Sequence, residues 1–358
     1  MQVKGRDRRF LLVALGMLAL LAAMWAGLLR MGWAVPLVRA WPGAHGPLMV
    51  SGFLGTLIGL ERAVALKEPW MFLAPLLSGV GGLALIVGLP YWLGAALITL
   101  GSTGLVAIFA VIVRKQNELF NQVMTLASVL GLVGNLLWLT GRGVSEVVLW
   151  WAGYLILTIA GERLELSRLL ALKRPVRAAF VAAVVLYLLG AMLALWQMEW
   201  GWRVAGLGMV TLAAWLLRYD VARRTIRNSG LPRFVAICLL TGFVWLGVAG
   251  LIALAGRVSS LFGYDAILHA VFLGFVIGMI FGHAPVIFPA VLGVPVPYRL
   301  AFYSHLVLLD LSLAVRIAGD LGHWVAARQW GGMINVIAML LFLGNTLLAV
   351  RSSRGAQA

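Results

Sequence analysis

The chain has 358 residues, of which 63% are hydrophobic and only 11% are charged, and its mean hydropathy is +1.01. Soluble domains carry about 25% charged residues, so this composition excludes a soluble globular protein. The single cysteine, Cys238, excludes an intrachain disulfide and a thiolate metal cluster.

Apolar runs of about 20 residues recur along the whole chain, and each is long enough as a helix to cross a hydrocarbon core of about 30 Å. The runs lack the alternation of apolar and polar residues that β-barrel strands show. The sequence therefore predicts an all-α, polytopic bundle that forms one integral membrane domain over residues 1–358. Its twelve spans are predicted near residues 9–33, 45–66, 70–89, 91–113, 119–140, 146–170, 175–198, 200–218, 233–255, 266–290, 298–319 and 329–350.

The placement of basic residues predicts the orientation. If the N-terminus is cytoplasmic, most of the 28 Lys and Arg residues lie in cytoplasmic segments, and twelve spans return the C-terminus to the same side. We therefore predict a multi-pass protein of the cell's inner membrane with both termini in the cytoplasm and the lipid bilayer as its surroundings. The net charge of +16 is then a topology signal, and nucleic acid is not an expected partner.

Ionisable residues inside membrane spans are costly, so each is a functional candidate. One hypothesis is a proton or ion path, with Glu-Arg pairs near the cytoplasmic face and a carboxylate near the midplane. Structural ion pairing is the alternative for the Glu-Arg pairs, and Asp310 can also pair with Arg316. The acidic candidates are Glu61, Glu162, Glu165 and Asp310.

Four histidines also fall within spans. His45 begins the second span and His269 lies in the first turn of the tenth, so both are expected at the same depth near the outer face. Two facing imidazoles in an apolar bundle are what a haem iron requires as axial ligands. His283 follows His269 by about four turns on the same helix face and can meet His305, which leaves room for a second haem. The alternative is that each histidine simply bonds to a backbone carbonyl.

Residues around the histidines complete this hypothesis. Arg39, Arg257 or Arg316, on the predicted outer side, would neutralise haem propionates. Nearby glycines lack side chains and would make room for a flat cofactor. These glycines are Gly46, Gly52, Gly55, Gly274 and Gly278.

The segment "HGPLMVSGF", residues 45–53, resembles the second helix of the NnrS family, membrane proteins that contain haem and copper. The family motif there reads approximately H-A-H-E-M-L-F-G-F, which superposes His45 and Met49 on its first histidine and its methionine. The segment is also similar to the second helix of haem–copper oxidase subunit I, whose histidine ligates a low-spin haem. "LHAVFLGFVIGM" resembles the NnrS pattern H-A-x-x-x-G-x-x-G-x-M and places His269 on its histidine.

The resemblance implies haem b held by His45 and His269, with Met49 beside them, and leaves open a second haem or copper. The chain departs from the NnrS pattern at three positions: Pro47 and Leu48 replace its second histidine and its glutamate, and Val294 replaces a later histidine. The predicted sixth and seventh helices contain no histidine, so the three-imidazole copper site of the oxidases cannot form in its usual place. Terminal oxygen reduction is therefore not expected.

Three functions follow from the sequence. The first is a haem-binding membrane protein that transfers electrons with a redox partner protein, or that handles nitric oxide or another diatomic gas. The second is a cofactor-free transporter or channel that uses Asp310 and the cytoplasmic Glu-Arg pairs. The third is a non-catalytic subunit or assembly factor of a respiratory complex.

Overall fold

A computed structural model gives the architecture of the protein. It describes residues 2–36 and 41–355, with side chains throughout except at residues 2–6, 42, 169 and 353–355. The fold is 86% helical, and the described residues contain no strand. The predicted all-α fold is confirmed.

Twelve helices of the described chain are long and apolar enough to cross a membrane. Their number equals the number of predicted spans, and their ends agree with the prediction within several residues. The protein is thus a multi-pass bundle of membrane helices. In chain order, α1 is Gln2–Arg30, α2 is 41–66, α3 is Pro69–Ile86, α4 is Tyr91–Lys115, α5 is Leu119–Leu139, α6 is Val144–Leu166, α7 is Arg174–Leu193, α8 is Met198–Tyr219, α9 is Gly230–Leu254, α10 is Leu261–Leu292, α11 is Phe302–Leu321 and α12 is Val325–Gly355.

The helices form two compact units. The first comprises Met1–Tyr154 and Ala290–Gly293, and the second comprises Leu155–Pro289 and Val294–Ala358. Within the first unit, α2 packs against α1 and α3, α3 against α4, and α4 against α5. Within the second, α8 lies between α7 and α9, α10 packs against α9 and α11, and α11 packs along α12. Sequence neighbours are therefore neighbours in space, as short connections require.

Small residues bring α1, α2 and α3 together in the first unit. A Cβ atom placed on Gly52 of α2 would lie 3.1 Å from the Cβ of Ala19 in α1 and 3.5 Å from the Cα of Gly82 in α3. In a membrane, helices associate through close packing because lipid tails are as apolar as the side chains. Gly52 is therefore a packing position, not a space for a ligand.

Asn135 of α5 is the centre of a buried polar cluster in the first unit. Its Oδ1 accepts from the Ser51 hydroxyl at 3.0 Å and from the Trp151 indole N–H at 2.9 Å. Its Nδ2 donates to the Ser102 hydroxyl at 2.5 Å. One amide thus links α2, α4, α5 and α6, and this pairing explains how polar side chains are tolerated at membrane depth.

Two helices contain a π-helical segment, in which each N–H bonds to the carbonyl five residues back. The segments are Leu48–Gly55 in α2 and Ala270–Ile277 in α10. Such segments are rare and occur frequently at functional sites. In α2 the segment directly follows Pro47, whose nitrogen has no hydrogen to donate, so the regular ladder is interrupted there. The sequence analysis did not predict either segment.

Candidate functional site

His45 lies in the first turns of α2, in the first unit. Its Nδ1 is 2.7 Å from the backbone carbonyl oxygen of Ala23 in α1. The ring lies beside Gly27, where a Cβ atom would come within 3.1 Å of the His45 Cε1 and 3.3 Å of its Nδ1. Helix α1 therefore provides both the hydrogen-bond acceptor and the space for this imidazole.

His269 lies in α10, in the second unit. Its Nδ1 is 2.8 Å from the carbonyl oxygen of Asp265, one turn earlier in the same helix. The Oδ1 atom of the Asp265 side chain lies 3.4 Å from the same nitrogen. The side chain of His269 is 16% exposed.

The carbonyl contacts define the tautomer of both imidazoles. A carbonyl oxygen only accepts hydrogen bonds, so the proton of neutral His45 and of neutral His269 lies on Nδ1. The lone pair then lies on Nε2. Histidines that bind metals adopt this arrangement, in which the remote N–H donates to a carbonyl or carboxylate and fixes the ring.

Both histidines precede a π-helical segment. Two residues, Gly46 and Pro47, separate His45 from Leu48, and Ala270 directly follows His269. Met49, the other residue implied by the NnrS resemblance, lies within the first π segment and is half-buried. Among the described residues, the two segments that resemble haem proteins are thus the two that contain π-helical stretches.

Asp265 belongs to a cluster of four charged side chains in the second unit. Arg316 of α11 donates to Asp265 Oδ2 from Nη2 at 2.9 Å and from Nε at 3.2 Å. Arg328 of α12 lies 3.6 Å from Asp265 Oδ2 and 2.9 Å from Oδ1 of the buried Asp320. The cluster ties α10, α11 and α12 together next to His269.

The predicted propionate partners have different outcomes. Arg316 is buried and bonded to Asp265, so its charge already has a counter-ion. The alternative that Asp310 pairs with Arg316 is wrong for the same reason. Arg257 is exposed in a short 3₁₀ turn between α9 and α10. Arg39 lies outside the described residues.

Three of the predicted cofactor-space glycines are used for helix packing. Gly46 faces Val144 and Trp151, and Gly52 faces α1 and α3. Gly274 of α10 faces Trp245 of α9, and a Cβ atom there would lie 2.5 Å from the Trp245 Cβ. Gly27, which the sequence analysis did not single out, is the glycine whose missing side chain accommodates His45.

His283 makes the same kind of bond as His269, since its Nδ1 lies 2.8 Å from the Met279 carbonyl oxygen one turn earlier. It differs in lying within the α-helical part of α10, Gly278–Leu292, which also contains Pro285 and Pro289. The carbonyl contact is shared with His45 and His269 and by itself does not distinguish a ligand from a structural histidine.

His305 is enclosed by phenylalanine rings and is 1% exposed. Its Nδ1 lies 3.1 Å from the amide nitrogen of Asn345, which also donates to the Ala301 carbonyl and to the Ser304 hydroxyl, each at 3.1 Å. A second haem at His305 stays a prediction from the sequence. The enclosing rings, at centroid distances of 4.7 to 6.1 Å, are Phe281, Phe342, Phe302 and Phe234.

The acidic candidates of the predicted ion path have local neighbours. Glu61 lies 3.5 Å from Arg62, the next residue of α2. Glu165 lies 3.3 Å from Arg168 at the exposed end of α6, and Glu162 is half-buried in α6. These contacts are those of structural ion pairs at a helix end.

Asp310 lies in the middle of α11. Its Oδ1 accepts a hydrogen bond from the Trp245 indole N–H at 2.8 Å. Because Trp245 also fills the notch at Gly274, this carboxylate is part of the packing between α9, α10 and α11. The predicted midplane carboxylate is thus held by a neutral donor.

Arg163 pairs with a residue that the sequence analysis missed. Its partner is Asp220, after α8, and not the adjacent Glu162. Asp265, Asp320 and Arg328 were missed as well, because they lie near helix ends, where charges are usually solvated. One signal was present: Asp265 precedes His269 by four residues, a spacing that places both on one helix face.

Within the described chain, no three side chains among His, Cys, Asp and Glu come together to hold a metal ion. The twelve apolar helices of the described chain define an α-helical multi-pass membrane protein. Each of its two units contains a cluster of polar side chains, around Asn135 in the first and around Asp265 in the second. The sequence profile of a family described as a domain of unknown function, DUF8744, matches residues 9–351, and the chain therefore belongs to this family. No curated protein in the comparison matches the chain.

Proposed function

We propose that the protein is a haem-b-binding membrane protein of the inner membrane, with His45 and His269 as axial ligands. The observation that carries the proposal is shared by both histidines: each has Nδ1 bonded to a carbonyl oxygen and lies within three positions before a π-helical segment. The first feature directs the lone pair to Nε2, and the second is typical of functional sites.

The residues on each side suit this role separately. On α2, Gly27 leaves space for the ring of His45 and the Ala23 carbonyl holds its orientation. On α10, Asp265 supplies both a carbonyl and a carboxylate behind His269. Both histidines are half-buried, and the His269 ring lies next to the charged cluster that contains Asp265.

When bound, a haem with two imidazole ligands supplies a one-electron redox centre whose potential depends on the ligands and their hydrogen bonds. The chain's contribution is to hold each of the two imidazoles in one tautomer through a backbone carbonyl. Electron transfer with a redox partner protein is the role this favours. Handling of nitric oxide or another diatomic gas remains the second role, as the NnrS resemblance implies.

Absorption spectroscopy tests the proposal. The protein, purified from cells supplied with haem, is expected to show a Soret band and reduced α bands of a six-coordinate haem b. His45→Ala and His269→Ala are each expected to lose most of the bound haem. His323→Ala is the matched control, since His323 is exposed in the turn between α11 and α12 and is expected to leave the haem content unchanged.

Two results would overturn the proposal. One is the lack of a Soret band in the unaltered protein despite ample haem. The other is an unchanged spectrum in both histidine variants. Thermal unfolding of each variant separates loss of a ligand from loss of the fold.

The other functions predicted from the sequence have less support in the structure. Transport through Asp310 would require its carboxylate to bind a solute. In the structure this carboxylate accepts a hydrogen bond from the Trp245 indole, a contact that helix packing alone explains. A copper ion, a second haem at His283 and His305, and the role of a respiratory-complex subunit stay predictions from the sequence. The cytoplasmic location of both termini is also a prediction.

A further inference from the structure

We infer that Asp265 is the positioning residue of His269, and that its carboxylate, clamped by Arg316, increases the electron-donating strength of this imidazole toward a bound iron. The inference rests on the proposed function. Asp265 was not a candidate residue in the sequence, and in this role it would control the reduction potential of the haem.

Two contacts join Asp265 and His269. The Asp265 carbonyl oxygen is 2.8 Å from His269 Nδ1 and orients the ring. The Asp265 Oδ1 lies 3.4 Å from the same nitrogen and brings a negative charge next to the N–H group. Because the two residues are one turn apart on α10, both contacts come from the same helix face.

Arg316 clamps the carboxylate of Asp265. Both donor atoms of Arg316, Nε and Nη2, bond to Oδ2 of Asp265. This leaves Oδ1 as the oxygen next to His269. Arg316 is 5% exposed, so the clamp is shielded from water and its geometry is fixed by α11.

Two carboxylates and two guanidinium groups make up the cluster next to His269. Arg328 lies between the carboxylates of Asp265 and Asp320, at 3.6 and 2.9 Å. The two carboxylates and two guanidinium groups cancel in total charge. The group in contact with the imidazole is nevertheless negative, and in a medium of low dielectric constant the nearest charge has the largest effect.

The chemical consequence follows from the position of the carboxylate. A negative charge behind Nδ1–H makes Nε2 a stronger donor, which favours the oxidised over the reduced form of a metal it ligates. Removing a partner of this kind typically changes metal affinity or activity 10–100-fold. A purely structural ion-pair cluster would hold the helices together without affecting a redox equilibrium.

The test compares reduction potentials of haem-loaded variants by spectroelectrochemistry. Asp265→Asn is expected to raise the ratio of reduced to oxidised haem at a given potential about tenfold, which corresponds to about 59 mV for a one-electron couple. Arg316→Gln keeps the carboxylate and removes its counter-charge, so the potential is expected to fall. Asp310→Asn is the matched control: it removes a half-buried carboxylate of α11 bonded to Trp245, and is expected to leave the potential unchanged.

If Asp265→Asn does not yield folded protein, the double variant Asp265→Asn/Arg316→Gln takes its place, because it removes both buried charges together. At a given applied potential, its ratio of reduced to oxidised haem is then expected to be about ten times that of Arg316→Gln alone. The inference would be overturned if Asp265→Asn had the same reduction potential as the unaltered protein, or if the double variant had the same reduction potential as Arg316→Gln. Either result would leave haem binding intact. Lack of haem in the unaltered protein would overturn both the inference and the proposed function.

Discussion

Arg163 and Asp220 form a buried two-point ion pair. Arg163 Nε donates to Asp220 Oδ2 at 2.8 Å, and Nη2 donates to Oδ1 at 3.0 Å. The side chains are 3% and 0% exposed, and Asp220 Oδ1 also accepts from the Ala222 backbone N–H at 2.7 Å. The pair joins the end of α6 to the connection between α8 and α9.

Removing one partner of this pair is expected to be costly. Asp220→Asn leaves a buried guanidinium without its counter-charge, and we expect the free energy of unfolding to fall by about 3–5 kcal/mol. The control is Glu146→Gln, which breaks the Arg142–Glu146 pair of the same 2.8 Å length but with 52% and 45% exposure. That loss is expected to be much smaller, because water screens an exposed ion pair. Denaturation in detergent measures both, and equal losses would contradict the prediction.

The amide of Asn135 is expected to stabilise the first unit. Asn135→Ala removes three hydrogen bonds to other helices, each worth about 0.6 kcal/mol in a membrane protein, so we expect a loss of about 2 kcal/mol. Thr211→Val is the control, because the Thr211 hydroxyl bonds only to carbonyls of its own helix, at 2.9 and 3.0 Å. The same unfolding measurement applies. An Asn135→Ala protein as stable as the control would show that the cluster contributes little.

Gly274 is expected to tolerate no side chain. In Gly274→Ala the new Cβ would lie 2.5 Å from the Trp245 Cβ and 2.8 Å from its Cδ1, so the indole must move away from Asp310. Overpacking of this kind costs about 1–3 kcal/mol. Gly344→Ala of α12, with no atom within 4 Å, is expected to stabilise its helix by up to about 1 kcal/mol. Melting temperature and tryptophan fluorescence report the two effects, and a Gly274→Ala protein with unaltered fluorescence would contradict this expectation.

Gly27 links the packing of α1 to the proposed haem ligand. In Gly27→Ala, a Cβ 3.1 Å from the His45 Cε1 would push the ring out of its position, and we expect haem affinity to fall about tenfold. Gly43→Ala, near the start of α2 with no atom within 4 Å, serves as the control. Haem titration of the purified variants measures the difference. Equal haem affinities would show that the position of the His45 ring does not limit binding.

Asp310 separates the haem hypothesis from the transport hypothesis. Under the proposed function, Asp310→Asn retains its haem spectrum, because its contact is with Trp245 and not with a proposed ligand. Flux assays in liposomes check the alternative directly. A substrate- or proton-dependent flux that Asp310→Asn abolishes would favour transport.

The sequence predicted the helices well because the bilayer imposes a strong local constraint. Each span must be an apolar helix of nearly fixed length. Local residues also mark the helix ends: Gly88, with a φ of 78°, follows α3, and Pro90 directly precedes α4. The two histidine segments were also visible, since His45 and His269 are rare polar residues at the start of apolar runs. These features depend on residues close together in the chain.

The partners of the polar groups could not be predicted in this way. Three pairings depend on which helix faces lie together: Arg163 binds Asp220 and not Glu162, Arg316 binds Asp265 and not Asp310, and Asn345 contacts Nδ1 of His305. The sequence by itself determined where the chain crosses the membrane, because that follows from local hydrophobicity. Only the tertiary structure decided how each buried charge and imidazole is satisfied, because a polar group in an apolar bundle bonds to whichever donor or acceptor the packing of distant segments brings within about 3 Å.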